Sequence, residues 1–260
     1  MQATAKRILI LGGTTEASAL VRRLAADPRF DATLSLAGRT RSPVGIAGVA
    51  MRVGGFGGAD ALAHWLRTSG IDAVIDATHP FAAQISANAY AAAIAAGIPL
   101  CTVVRPPWSA VPGDVWHTVA SAKKAAVALG AEPRRVLLSI GRQEVGAFRG
   151  APHHAYVIRS IEPPDETTLP LDVKLIQARG PFALADEMRL LTSERIDVVV
   201  TKNAGGGATY PKIAAARELG LPVVMITRPY KASSHAVASA EEAVAWLERH
   251  HGMSRSERGV

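Results

Sequence analysis

Apolar and polar positions in the first hundred residues alternate between two periods. Arg7–Leu11 (RILIL) carries the apolar run Ile8–Leu11, stopped by Gly12 and Gly13, the pattern of a strand buried on both faces. Glu16–Ala26 sets Ala17, Leu20, Val21 and Leu24 on one helical face and stops at Asp27-Pro28. Ala32–Ala37 reads as a second strand, Ala59–Thr68 as a helix and Asp72–Asp76 as a third strand. Phe81–Ala96 is an Ala-rich helix closed by Gly97, and Leu100–Val104 is a further strand. Strands alternating with helices predict βαβ units, a parallel sheet and an α/β fold.

The second half repeats phrases of the first in the same order. Ile71–Ile75 is matched by Ile196–Val200, Gly97-Ile98-Pro99 by Gly220-Leu221-Pro222, and Arg105-Pro106 by Arg228-Pro229. His117–Ala122 recurs as His235–Ala240, each copy leading into an amphipathic helix. Arg135–Gly141 stands where Arg7–Gly13 stands in the first half. The period exceeds that of a solenoid, whose repeats span about 20–50 residues. Two similar α/β domains in tandem are expected, residues 1–132 and 133–250, followed by a disordered tail over 251–260. The linker falls near Gly130–Pro133, and the two terminal helices can pack on either domain. A duplicated architecture makes a ligand cleft between the halves the default expectation.

Composition narrows the class. Of 260 residues, 48% are hydrophobic and 20% charged, enough apolar material to exclude wholesale disorder. Cys101 is the one cysteine, which excludes a disulfide framework and a Cys-based zinc site. The adjacent His153 and His154 would face opposite sides of a strand, so no metal site is expected. The uncharged stretch Ala87–Val104 is broken by Gly97 and Pro99 and reads as a buried helix followed by a strand, not a membrane span. The start has no signal-peptide pattern. A soluble, cytoplasmic protein without a membrane partner is expected, its oligomeric state open and a monomer compatible with the sequence.

Lys and Arg number 29 against 22 Asp and Glu, a net charge of +7. That charge alone admits nucleic acid, lipid, phosphate or a polycarboxylate as partner. The basic residues, however, are spread over strand-end loops and the tail Ser254–Arg258, with no stripe interleaved with aromatics, which argues against nucleic acid.

Candidate chemistry sits at the predicted strand ends. Gly12, Gly13, Thr14, Thr15 and Glu16 join the first strand to a helix, where free N–H groups bind anions; a tight turn with a Thr cap is the plainer reading. The second strand ends at Gly38-Arg39-Thr40-Arg41. A fold that prefers NAD places a carboxylate there, whereas arginines hold a 2′-phosphate, so a dinucleotide bound here should be NADPH. The alternative is a solvated basic loop. Thr78, His79, Pro80 and Phe81 follow the third strand, with His79 either a titratable group at the crevice or a helix cap. In the second half, Ser139–Arg142 ends a strand, Arg179–Phe182 opens a helix, and Lys202, Asn203, Gly205, Gly206, Thr209 and Lys212 surround a glycine loop suited to carboxylate or phosphate. That loop also reads as a mobile connection.

The motifs Ile10–Ala17, Ser35–Thr40, Asp76–Ala82 and Thr201–Gly206, followed by Lys212-Ile213 and Arg228-Pro229, resemble the precorrin-6A reductase family of cobalamin biosynthesis along nearly the whole chain. The resemblance implies two Rossmann-like domains and NADPH-dependent reduction of one double bond of precorrin-6A, giving precorrin-6B. It implies that Gly12–Glu16 and Gly38–Arg41 hold the cofactor and that Thr78–Phe81 and the Lys202–Gly206 loop line the cleft. Arg142, Arg179, Lys202 and Lys212 are then natural partners for the carboxylates of a tetrapyrrole polycarboxylate substrate, and His79 a candidate proton donor. One departure is Ala204, where the family pattern has Ser, so a contact made through that hydroxyl is missing here. A reductase of a smaller anionic substrate and a non-enzymatic two-lobed anion or nucleic-acid binder are the competing readings.

Overall fold

The computed structural model describes residues 4–38 and 46–256. In chain order the elements are β1 (Lys6–Leu11), α1 (Thr15–Ala25), β2 (Phe30–Leu36), β3 (Ala50–Val53), α2 (Ala59–Thr68), β4 (Ala73–Asp76), α3 (Ala83–Ala96) and β5 (Leu100–Val103). There follow β6 (Trp116–Val119), α4 (Ala122–Ala128), β7 (Arg135–Ser139), β8 (Ala155–Ser160), β9 (Val173–Gln177), α5 (Leu184–Ser193), β10 (Val198–Lys202), α6 (Pro211–Glu218), β11 (Val223–Ile226), β12 (Ala236–Val237) and α7 (Ala240–Ser256). A 3-10 segment, Arg142–Gly150, follows β7.

The strands form two parallel six-stranded sheets, in the orders β12-β5-β4-β1-β2-β3 and β6-β11-β10-β7-β8-β9. Continuous apolar strands arise because both faces are covered. Along β1, Ile8 and Ile10 pack with Ala17, Leu20 and Leu24 of α1 and with Trp246 of α7. Leu9 and Leu11 point the other way, against Leu62 and Leu66 of α2 and Ala89, Ala92 and Ala93 of α3. The alternation has the two-residue period of a strand, and the alanines let α3 lie close on the sheet.

The duplication is visible bond by bond. Asp72 accepts a hydrogen bond from Arg7 N at 2.8 Å, and Asp197 accepts the same bond from Arg135 N at 2.7 Å. Each aspartate thereby anchors the start of the central strand of its sheet.

The chain divides into Met1–Arg105 with Tyr230–Val260, and Pro106–Pro229. The sequence reading placed the division near residue 132, but the chain passes from one unit to the other right after β5 and back right after β11. β6 therefore pairs with β11, and β12 with β5. His117 lies opposite Val224, and His235 O accepts from Thr102 N at 2.8 Å, so the repeated phrases sit at the outer edges of their sheets. α4 packs in the second unit and α7 in the first. α7 continues to Ser256, where the sequence reading expected a disordered tail from residue 251.

Candidate functional site

In the first sheet the strand order reverses between β1 and β4, and ligands of open α/β sheets bind at the carboxyl ends of strands around such a point. Gly12 N donates to Ser35 O at 2.9 Å, tying the turn after β1 to β2. Gly13 has φ +110°, and a Cβ there would meet nothing within 4 Å, so the backbone is open to a close approach. Thr14 caps α1 by accepting from Ala17 N at 3.1 Å, while its hydroxyl donates to Ala77 O at 2.7 Å, joining the two flanks of the crevice. Thr15 donates to Glu16 Oε2 at 3.1 Å. Arg105 Nη1 bonds both Glu16 carboxylate oxygens, at 3.0 and 2.8 Å. Burial raises the Glu16 carboxyl, but Arg105, the Glu16 backbone N–H and the Thr15 hydroxyl together hold the group below the ordinary glutamate value.

Asp76 at the end of β4 is fully buried. Its Oδ1 accepts from Thr78 N at 3.0 Å and Thr78 Oγ1 at 2.6 Å, and its Oδ2 lies 3.2 Å from Lys231 Nζ. His79 turns back on its own loop: Nδ1 accepts from Phe81 N at 3.3 Å and its carbonyl from Ala82 N at 2.8 Å. This turn delays α3 to Ala83, two residues later than the expected Phe81. Pro80 is buried and Phe81 half-buried, its ring 5.8 Å from that of His79. Gly38, two residues after β2, has φ +72°. Arg39, Thr40 and Arg41 lie outside the described residues.

The second unit sorts its cations into two kinds. Lys202, at the end of β10, is paired with Glu144. Lys212 is buried, with Nζ donating to Thr209 O at 2.8 Å and standing 5.0 Å from the Trp108 ring centre. Burial, and then the nearby Arg159 guanidinium, push its ammonium down to about 7, against a smaller opposing pull from Glu187. Among the described residues Arg142, half-buried, and Arg179, exposed, have no ion-pair partner.

The glycine loop is held, not loose. Asn203 Oδ1 accepts from Trp108 N at 2.8 Å and its Nδ2 donates to Trp108 O at 2.9 Å, while Trp108 Nε1 donates to Gly206 O at 2.8 Å. Arg228 donates to the carbonyls of Asn203 and Ala204 at 2.8 and 2.9 Å. Gly205, at φ +67°, passes so close that a Cβ would run into the Pro106 carbonyl and the Arg228 guanidinium. Ala204 is buried.

His153 and His154 correct another expectation. They occupy the turn before β8 with rings 4.0 Å apart, and do not face opposite sides of a strand. Among the described residues no three His, Cys, Asp or Glu side chains converge as a metal would require, and no helix is long and apolar enough to cross a membrane.

Sequence reasoning missed Lys231, Trp108 and the bracing roles of Arg105 and Arg228. Only the paired Arg-Pro phrases hinted at the last two.

A sheet of this order, with a glycine turn and a capped helix at its switch point, defines a Rossmann-like α/β protein. Residues 7–248 match the family described as precorrin-6x reductase CbiJ/CobK, and the chain belongs to that family. It is 54% identical over 241 residues to a precorrin-6A reductase of Sinorhizobium sp., covering 92% of this chain and 91% of the relative. It is 50% identical over 242 residues to that of Rhodococcus erythropolis, covering 93% and 97%. A solved structure of CobK precorrin-6A reductase matches with a TM-score of 0.88 at 47% identity, over 94% of this chain and 97% of that one. Membership makes the chain an oxidoreductase of cobalamin biosynthesis.

Proposed function

We propose that the protein reduces precorrin-6A to precorrin-6B with NADPH in the cytoplasm. The observation that carries the substrate is the high identity, along nearly the whole chain, to relatives named for that activity. For the cofactor, the residues present fit a dinucleotide. Gly13 leaves its backbone open, α1 offers a capped N-terminus beside it, and no carboxylate follows β2, where one would repel a 2′-phosphate. When bound, the reduced nicotinamide supplies the hydride for the macrocycle double bond.

The chain's own residues bind, orient and protonate. Gly12–Glu16 and Gly38–Arg41 hold the nucleotide, and Thr78, Pro80 and Phe81 form the wall of its crevice. Glu16 is already neutralised by Arg105 and so does not oppose a pyrophosphate at the helix end. Arg142 and Arg179, uncommitted among the described residues, receive substrate carboxylates. Lys202 joins them only by leaving Glu144, and Asn203, Gly205 and Gly206 shape the loop instead of reaching out. Thr209 and Lys212 support that loop from beneath. His79 is the proton donor: its ring first takes a proton at Nδ1, giving up the bond from Phe81 N, so that releasing one proton to the macrocycle returns it to neutral imidazole.

Fluorescence titration with NADPH and NADH tests the cofactor assignment. Tighter binding of NADPH is expected. Equal affinities, or binding of neither, overturn it.

A further inference from the structure

Arg52 of β3 pairs in register with Ser35 of β2, each one residue before its strand ends. Gly12 N donates to Ser35 O, and Arg52 Nη1 donates to Ser35 Oγ at 3.1 Å. The glycine turn, Ser35 and Arg52 therefore form a row across the carboxyl edge of the first sheet. Nη1 also donates to Gly54 O at 2.9 Å and Nη2 to Gly55 O at 3.1 Å. The guanidinium carbon lies 3.6 Å from the Phe56 ring centre, and Phe56 in turn meets Trp65 edge-on. The group is thus fixed in place and only half exposed to water.

All of these acceptors are neutral. Among the described residues no carboxylate pairs with Arg52, and burial alone lowers its pKa. A cation held partly out of water without a counter-charge costs free energy that an anionic ligand would offset. The three hydrogen bonds use three of the five guanidinium N–H groups, leaving two, the number a phosphate takes bidentately. The surrounding loop is open: a Cβ at Gly54, Gly55 or Gly58 would meet nothing within 4 Å. In this fold the end of β2 is where the adenosine ribose is read.

We infer that Arg52 is a specificity-determining residue that receives the 2′-phosphate by which NADPH differs from NADH. The inference rests on the cofactor reading above and sharpens it to one side chain that no strand-end motif marks.

The test is the ratio of dissociation constants for NADH and NADPH, measured by nicotinamide fluorescence on the full chain. Arg52→Gln is expected to weaken NADPH about 10- to 100-fold, the range of a charged hydrogen bond, and to leave NADH within about twofold. Arg52→Lys, which keeps the charge but not the fork, falls between. A residue that only clamps the Gly54–Gly55 turn would weaken both nucleotides alike. An unchanged ratio in both variants, with wild type still preferring NADPH, overturns the role of Arg52 alone. A wild type without that preference overturns the cofactor reading and this inference together. If Arg52→Gln does not fold, the ratio in Arg52→Lys decides.

Discussion

Lys231 Nζ lies 3.2 Å from Asp76 Oδ2, and both side chains are almost wholly buried, at 7% and 1% exposure. The same ammonium donates to Thr78 Oγ1 at 3.1 Å and Thr78 O at 3.3 Å. The segment that re-enters the first unit thus braces the turn after β4. Removing one partner of a buried pair strands the other charge, so Lys231→Met is expected to lose about 3–5 kcal/mol in urea unfolding. The double variant Asp76→Asn, Lys231→Met should recover a substantial part. A double variant as unstable as the single one would show that the charge pairing is not what holds the turn.

Lys212 gives the fold a pH dependence of definite sign. Its ammonium titrates near 7 in the folded protein against 10.5 as the ordinary value. Between those values the unfolded chain holds the extra proton, so this group makes the protein more stable as pH rises from 7 towards 10. Below 7 the cost of the buried charge is fully present. Lys212→Met removes the charge. The stability of the Lys212→Met variant minus that of wild type should therefore decline steadily across that interval when urea midpoints are compared. A difference that stays flat with pH contradicts a depressed lysine.

Gly205 and Gly207 lie in one loop but in different surroundings. A side chain at Gly205 meets the Pro106 carbonyl at φ +67°, whereas a Cβ at Gly207 meets nothing within 4 Å. Gly205→Ala is expected to destabilise by about 1–3 kcal/mol or more and to change the fluorescence of Trp108, whose Nε1 bonds Gly206 O. Gly207→Ala should do neither. Equal effects of the two substitutions in thermal melts would mean the loop is looser than its bonds to Trp108 and Arg228 require.

His79 separates two roles by substitution. Its Nδ1 accepts from Phe81 N, a structural duty that Asn can perform, whereas only the ring can carry a proton at neutral pH. His79→Asn and His79→Ala should both lower turnover about 10²- to 10⁴-fold while NADPH binding holds within a few-fold. Near-normal turnover in either variant removes His79 from the chemistry and leaves it a cap.

Most of the fold was legible because buried parallel strands write themselves as unbroken apolar runs. Ile8–Leu11 of RILIL and Ala73–Ile75 of DAVID needed no context, and α2 was bounded to the residue by its amphipathic spacing. The edge strand β3 carried no such signal: Ala50–Val53 is largely exposed and Arg52 interrupts it. The repeated phrases were read correctly as equivalent, yet not the crossing between units, because a strand's sequence does not say which sheet it joins. At the site, glycines and strand-end residues stood out by type. Lys231 and Trp108 did not, since their partners lie far away in sequence and only tertiary pairing brings them near Thr78 and Asn203. Lys202 and Lys212 show the converse: a cation in the right loop need not be available once Glu144 or the Thr209 carbonyl holds it.

The central claim is tested most directly by incubating the purified protein with precorrin-6A and NADPH and following both absorption spectra together. One NADPH should be oxidised for each macrocycle reduced, with NADH a much poorer donor. A macrocycle spectrum unchanged in the presence of NADPH, or reduction at equal rates with NADH, would contradict it.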